Sequence, residues 1–340
     1  MVDISQFNPQ VEQLGNALSS ARRILITAPG AADGDSIGAQ LALQRMLKTR
    51  FPDKKVFVVN DELLPPRYQF LPDAETVHVP ETFAKAGGRP EFDIAFVVDG
   101  GIDRAGRVKA WFDKTPTTVF IDHHFISCEY PYSLRIVDPS ASATTELIYH
   151  LSQTTLFKTP VEQRFAQQIY LGLVFDTGFF RHSNTTAEAM ILAAELLKTG
   201  FDFTRVGERG MLERSFGSLR LMADTLAQAK TICEGKIIWS ALSQSMLEKY
   251  NAIPDDREGI IDHLFLTHGV EVALLLFELG NSEVKVSLRS QGKVNVAKFA
   301  RSLTVRGGGH SKAAGALLEM PIEKATRLVL EKLEMIVSEA

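Results

Sequence analysis

Short apolar runs alternate with longer amphipathic stretches through the first half of the chain. Ile24-Leu25-Ile26, Val56-Phe57-Val58-Val59, Ile94 to Val98 and Thr118 to Ile121 are continuous apolar segments of strand length. That is the pattern of strands covered on both faces of a parallel sheet. Between them, Ser36 to Lys48 places Ile37, Leu41 and Leu47 near one helical face, with Leu43 and Met46 at its flanks. Phe165 to Val174 is apolar at 165, 166, 169, 170, 173 and 174, a second helical stripe. Thr186 to Leu226 is rich in Ala, Leu, Met, Glu and Arg and predicts a mainly helical connection. The second half changes character. Ile237 to Ser240, Val270 to Phe277, Val284 to Leu288 and Ala316 to Leu318 predict strands. Val294 to Leu303 and Ile322 to Ser338 predict helices, and Gly307-Gly308-Gly309-His310 a glycine-rich turn. The expectation is an α/β chain: a domain at 1–190 with a mainly parallel sheet flanked by helices, a helical linker at 191–225, and a smaller α/β domain at 226–340.

Composition narrows the function classes. The 340 residues suffice for two cores. A net charge of -4 argues against a broad clamp for long duplex DNA, though not against a local patch for a short oligonucleotide or mononucleotide. The two cysteines, Cys128 and Cys233, fit no zinc spacing, and the first residues lack the basic start and apolar core of a signal peptide. No run approaches the roughly 18 apolar residues of a membrane span. A cytoplasmic protein is therefore expected.

The informative observation is where the acids fall. Val97-Val98 runs into Asp99, Phe120-Ile121 runs into Asp122, and the loop after Ile24-Leu25-Ile26 carries Asp33 and Asp35. In an open parallel sheet, ligands bind beyond the carboxyl ends of the strands. Carboxylates gathered there repel one another, and a divalent cation removes the repulsion. Aspartate oxygens mixed with histidine nitrogen suit Mn2+, with Mg2+, Co2+ or Fe2+ also compatible by ligand type. Two such ions about 3.5–4 Å apart activate water and stabilise the leaving oxygen of a phosphate ester. Each piece also has a plainer reading: Asp-x-Asp is common turn chemistry, and Asp35 before Ser36 fits a helix cap.

The order of these segments resembles the DHH–DHHA1 phosphoesterases, within them the nanoRNase and pAp (3′-phosphoadenosine 5′-phosphate) phosphatase group. The segments are Asp33-Gly34-Asp35-Ser36-Ile37-Gly38, Val97-Val98-Asp99, Asp122-His123-His124, Ala141 to Glu146, and Gly172 to Gly178 with Asp176. The second domain adds Val286 to Ser290, Gly307 to His310 and Ala313-Ala314-Gly315. The resemblance implies Asp33 on a first metal, Asp35, His123 and Asp176 on a second, and Asp99 bridging both. It implies that Asp122 orients its neighbours and that His124 faces the phosphate, so that Asp122, His123 and His124 form the catalytic triplet. It gives Arg289, Ser290, Gly307, Gly308, Gly309 and His310 to the distal end of the substrate. Arg181 and the stretch Ser183-Asn184-Thr185-Thr186 follow Asp176 and fit either a contact to phosphate or sugar or a helix cap, where Asn and Thr are favoured.

One position departs from the resemblance. The histidine that starts the first motif, four residues before the first aspartate and a ligand of the first metal, is here Pro29. A weakened first metal site is expected. The function implied is hydrolysis of short oligoribonucleotides or pAp by a metal-activated water. Cleavage of linear or cyclic dinucleotides (pApA, c-di-AMP) and catalytically weakened nucleotide binding stay open, as does a homodimer.

Overall fold

The structure, a computed structural model, describes residues 2–30, 32–124, 130–280, 282–309 and 311–338. Cys128 and His310, both singled out in the sequence, lie outside the described residues. The chain divides into two compact units, Met1–Glu213 and Arg214–Ala340.

Six parallel strands build the sheet of the first unit: β1 (Arg23–Thr27), β2 (Lys55–Val59), β3 (Val77–His78), β4 (Ile94–Val98), β5 (Thr117–Asp122) and β6 (Leu134–Val137). They lie in the order β3-β2-β1-β4-β5-β6. All five residues of β4 are buried, as continuous apolar strands in a sheet covered on both faces require. Alternation along each strand sends Ile24, Ile26, Phe96, Val98, Val119 and Ile121 to one face, against the helices Gly34–Arg50, Thr144–Ser152 and Gln163–Asp176. Leu25, Ala95, Val97 and Phe120 face the other way, onto Phe83, Phe92, Val108 and Phe112. Each such large side chain contributes about 1.5–3 kcal/mol on burial. The chain runs outward from β1 through β2 to β3 and then resumes at β4 on the opposite side of β1. The carboxyl ends of β1 and β4 therefore flank the topological switch point, where open α/β sheets leave a crevice.

The second unit has a mixed sheet of β7 (Lys230–Ile232), β8 (Ile237–Leu242), β9 (Val272–Glu278), β10 (Glu283–Ser290), β11 (Gly308–Gly309) and β12 (Ala313–Glu319), in the order β11-β12-β10-β9-β8-β7. Among the described residues, only the β8–β9 pair of this sheet is parallel. The helix Ile322–Ser338 lays Ala325, Val329, Leu333 and Val337 on one face of this sheet, a four-residue spacing. The expected glycine-rich turn at 307–309 is corrected here: Gly308 and Gly309 pair with Gly315 and Ala314 as a short edge strand. Glycine is needed there because a Cβ at Gly307 would sit 2.0 Å from the Ala300 carbonyl oxygen, and Gly309 has φ +129°.

The stretch 186–226 is helical in three pieces, Ala187–Leu197, Phe203–Gly207 leading into a π-helical turn, and Phe216–Ala227. No helix among the described residues is long and apolar enough to cross a membrane.

Candidate metal centre

The acids of the first unit converge at the switch point. Asp33 caps the helix Gly34–Arg50, its Oδ1 accepting from the Asp35 and Ser36 amides at 3.1 and 3.0 Å. The cap is thus Asp33, not Asp35. Asp35, in the first helical turn, is fully buried. Both its oxygens accept backbone amides from the start of the helix Thr144–Ser152, Thr144 N–H at 2.6 Å and Thr145 N–H at 3.0 Å. Positive charge at a helix N-terminus suits a carboxylate. Asp99 directly follows β4 with φ +60°, a strained conformation for a non-glycine residue and one that clusters at functional sites. Ser36 Oγ donates to one Asp99 oxygen, and Thr144 Oγ1 donates to the other at 3.0 Å.

His123 and His124 leave the end of β5 on different errands. His123 is only 7% exposed. Its Nδ1 lies 3.2 Å from the Ala141 carbonyl oxygen, which fixes that nitrogen as the N–H and leaves the lone pair on Nε2. Nε2 stands 2.8 Å from an Asp176 oxygen and 4.0 Å from Asp99 Oδ1, yet it is buried without a hydrogen-bond partner. His124 is 37% exposed, so it faces the open side. Its Nδ1 and backbone N–H both meet Asp122 Oδ1, at 2.7 and 3.1 Å. Asp176 is the last residue of the helix Gln163–Asp176.

Electrostatics follow from this crowding. Burial pushes the Asp35 carboxyl well above the ordinary carboxylate range, with the charges of Asp99 and Asp176 adding to the shift. Burial and then Asp176 likewise raise Asp99. For His123, burial acts downward, but Asp176, Asp35 and Asp99 outweigh it and hold the imidazolium well above its usual range. His124 is raised too: burial works against the charged ring, and Asp122 more than offsets it. Asp122 goes the other way, its burial overcome by the contacts to His124. Without a cation, then, the crowding favours the protonated forms of Asp35, Asp99 and His123.

Among the described residues, two groups of donor atoms lie close enough to ligate an ion: Asp35, His123 and Asp176, and Asp99, His123 and His124. A buried Nε2 with no hydrogen bond, carboxylate oxygens around it and a mixed oxygen–nitrogen set fit a divalent cation.

The helices that carry these acids pack closely because of two glycines. A Cβ on Gly38 would lie 2.4 Å from the Gln168 carbonyl oxygen, and one on Gly172 would lie 2.3 Å from Asp35 Oδ1. Pro29 is buried beside Gly100, where an added Cβ would meet its Cγ at 2.8 Å.

Other predicted site residues fall elsewhere. Arg181 is exposed, and its Nε donates to the Gly178 carbonyl oxygen at 2.7 Å. Thr186 is the cap of the next helix, accepting from Ala189 N–H. In the second unit, Arg289 Nε donates to Asp262 at 3.3 Å. Ser290 is buried at the end of β10, its hydroxyl without a partner. Asn184, expected to contact substrate or cap a helix, donates instead to the Ser142 and Asp176 carbonyl oxygens; the parts played by Ser36, Thr144 and Thr145 in holding the acids are not expected from sequence. Only the oxygen-rich run Ala141-Ser142-Ala143-Thr144-Thr145 hints at them.

Residues 23–173 match the DHH family, N-terminal domain, and residues 234–339 match the DHHA1 domain. A bifunctional oligoribonuclease and PAP phosphatase, NrnA, from Thermus thermophilus is 30% identical over 309 residues, spanning 88% of this chain and 85% of that protein. Its namesake from Bacillus subtilis is 27% identical over 289 residues, spanning 84% and 85%. An exopolyphosphatase-related protein from Bacteroides fragilis has the same fold, with a TM-score of 0.87 at 24% identity over 97% of this chain and 98% of that one. From the ordered acids, the twin domains and these relatives, the chain belongs to the DHH phosphoesterase family, in its DHH–DHHA1 form.

Proposed function

We propose that this protein is a divalent-metal-dependent hydrolase of very short oligoribonucleotides and of pAp, releasing mononucleotides or phosphate. The convergence of Asp35, Asp99, His123 and Asp176 around one buried, unbonded imidazole nitrogen carries the reading. The relatives named for oligoribonuclease and PAP phosphatase activity support the substrate class.

In this reading Asp35, Asp99, His123 and Asp176 hold one ion, Mn2+ by ligand type. Asp33 and Asp99 hold a second, more weakly because position 29 offers no side-chain donor. Bound ions supply Lewis acidity toward water and the phosphate ester. The protein's own groups do the rest. Ala141 keeps the His123 tautomer with Nε2 inward. Asp122 holds His124 by Nδ1, which orients that half-exposed ring to contact a phosphate oxygen. In the second unit, Arg289, Ser290 and the 307–309 strand bind nucleotide, with backbone N–H groups of the glycines able to approach a phosphate closely.

The test is a panel of pAp, pApA, c-di-AMP and RNAs of a few nucleotides, incubated with Mn2+, with Asp99→Ala as control. Turnover of pAp and short RNA, lost in the control, is expected. Turnover confined to pApA or c-di-AMP moves the substrate to dinucleotides. Binding of nucleotides with no turnover of any substrate overturns the enzymatic reading.

A further inference from the structure

We propose that Asn184 is a positioning residue of the metal centre, one that sets Asp176 against the three ligands held by residues 141–145. The inference rests on reading that centre as a divalent-ion site.

The short run 141–145 touches three of the four residues of the nest. The Ala141 carbonyl oxygen meets His123 Nδ1 at 3.2 Å. Thr144 and Thr145 amides hold both oxygens of Asp35. Thr144 Oγ1 holds Asp99. The fourth residue, Asp176, comes from a different element, the end of the helix Gln163–Asp176. Asn184 joins the two. Its Nδ2 donates to the Ser142 carbonyl oxygen at 3.0 Å and to the Asp176 carbonyl oxygen at 3.2 Å. Ser142 returns the contact, its Oγ donating to the Asn184 carbonyl oxygen at 2.7 Å. Ser142 is itself fully buried, with its N–H donating to the buried Glu146 at 2.7 Å. The run is therefore anchored at its own end, and movement of Asn184 is transmitted to Asp176.

The orientation of the amide is not arbitrary. Nδ2 faces two carbonyl oxygens, so a flipped amide would set its oxygen against both. The cost of the chosen orientation is visible, because Asn184 Oδ1 is buried without a hydrogen bond. A residue selected only for stability would more readily be one whose polar atoms are all satisfied. His182 adds a second contact to the same point, its Nδ1 lying 3.0 Å from the Asp176 carbonyl oxygen. The distance that this clamp governs is the 2.8 Å between His123 Nε2 and Asp176 Oδ2. An ion between them tolerates little error in that spacing.

Asn184→Leu keeps the volume and removes both contacts. Ser142→Ala removes the return contact and is the second variant should the first fail to fold. For each full-length variant, Mn2+ affinity is measured calorimetrically, beside the melting temperature of the chelated protein. The expected result is an Mn2+ affinity about tenfold to hundredfold weaker for Asn184→Leu. Ser142→Ala is expected to show a smaller loss of the same sign. Activity should return at high Mn2+. A purely structural role would lower the melting temperature and leave Mn2+ affinity within twofold of wild type, which overturns the proposal. Should the unmodified chain itself bind no Mn2+, the failure belongs to the reading of the nest as a metal site.

Discussion

His123 Nε2 lies 2.8 Å from Asp176 Oδ2, while the opposite ring nitrogen is tied to the Ala141 carbonyl oxygen. That arrangement turns Nε2 toward the carboxylates, the orientation a metal ligand needs. In the metal-free protein the same carboxylate favours the protonated ring, and His123 is raised well above its usual range.

That preference gives a pH dependence with a definite sign. His123 and His124 have folded values above the ordinary 6.5. Their contribution to stability is full below 6.5 and is lost as pH rises through the raised folded values. Asp35 and Asp99 are raised above 3.8 and act in the same direction. Asp122, lowered, loses its contribution only below about pH 4. Chelated protein should therefore melt at a higher temperature at pH 6 than at pH 8. Mn2+ should reverse the order, since ligation needs the deprotonated groups. At a hundredfold excess over its dissociation constant, the ion adds about 2.7 kcal/mol, on the order of 5–10 °C for a unit of this size. Melting curves at both pH values, with chelator and with Mn2+, decide it; equal midpoints in chelator would refute the charge crowding.

Asp99→Asn should separate stability from activity. Asparagine tolerates the left-handed backbone that Asp99 adopts. The hydroxyls of Ser36 and Thr144 can accept from its amide. Removing one charge from the nest should stabilise the chelated protein by about 1 kcal/mol, while Mn2+ binding and hydrolysis collapse. Denaturant melts in chelator report the first effect and calorimetry the second. A variant less stable than wild type in chelator contradicts the expectation.

Gly172→Ala tests the close helix crossing. Its Cβ would stand 2.3 Å from Asp35 Oδ1 and 2.4 Å from Thr145 Cγ2. Overpacking of this kind costs about 1–3 kcal/mol, and the displaced Asp35 should weaken Mn2+ binding as well. Gly15→Ala, where the nearest atom is a Leu156 methyl at 3.3 Å, should change neither by comparison. The two variants are compared by chemical denaturation and Mn2+ titration.

Pro29→His should add a donor beside Asp99, since Pro29 already packs on Gly100. The expected outcome is a higher ratio of bound Mn2+ per chain at low free metal, read by elemental analysis after gel filtration. An unchanged ratio would mean that position 29 does not face the ion.

Much of this site was legible from residues alone, for a simple reason. A strand such as Ile94–Val98, apolar throughout, has to be buried on both faces of a parallel sheet. The acid that follows it must then emerge at the carboxyl end of the strand. The same logic placed Asp122 and the loop of Asp33 and Asp35. Short strands such as Val77–His78, Leu134–Val137 and Lys230–Ile232 were not legible, because at sheet edges and with mixed polarity they carry no periodicity to detect. Gly308 and Gly309 looked like a turn and became an edge strand because β12 offers them a partner.

The tertiary structure alone decided how the acids are held. Thr144 reaches Asp35 across 109 residues of sequence, and no local pattern encodes such a contact. Local chemistry let either Asp33 or Asp35 cap the helix; packing chose Asp33 for the cap and turned Asp35 inward to meet another helix's amides. The sequence determined which groups would be present and at which end of the sheet. Only folding brought the amides of one helix, the hydroxyls of Ser36 and Thr144 and the end of a third element to the same few ångströms, because those contacts exist only when distant segments are packed together.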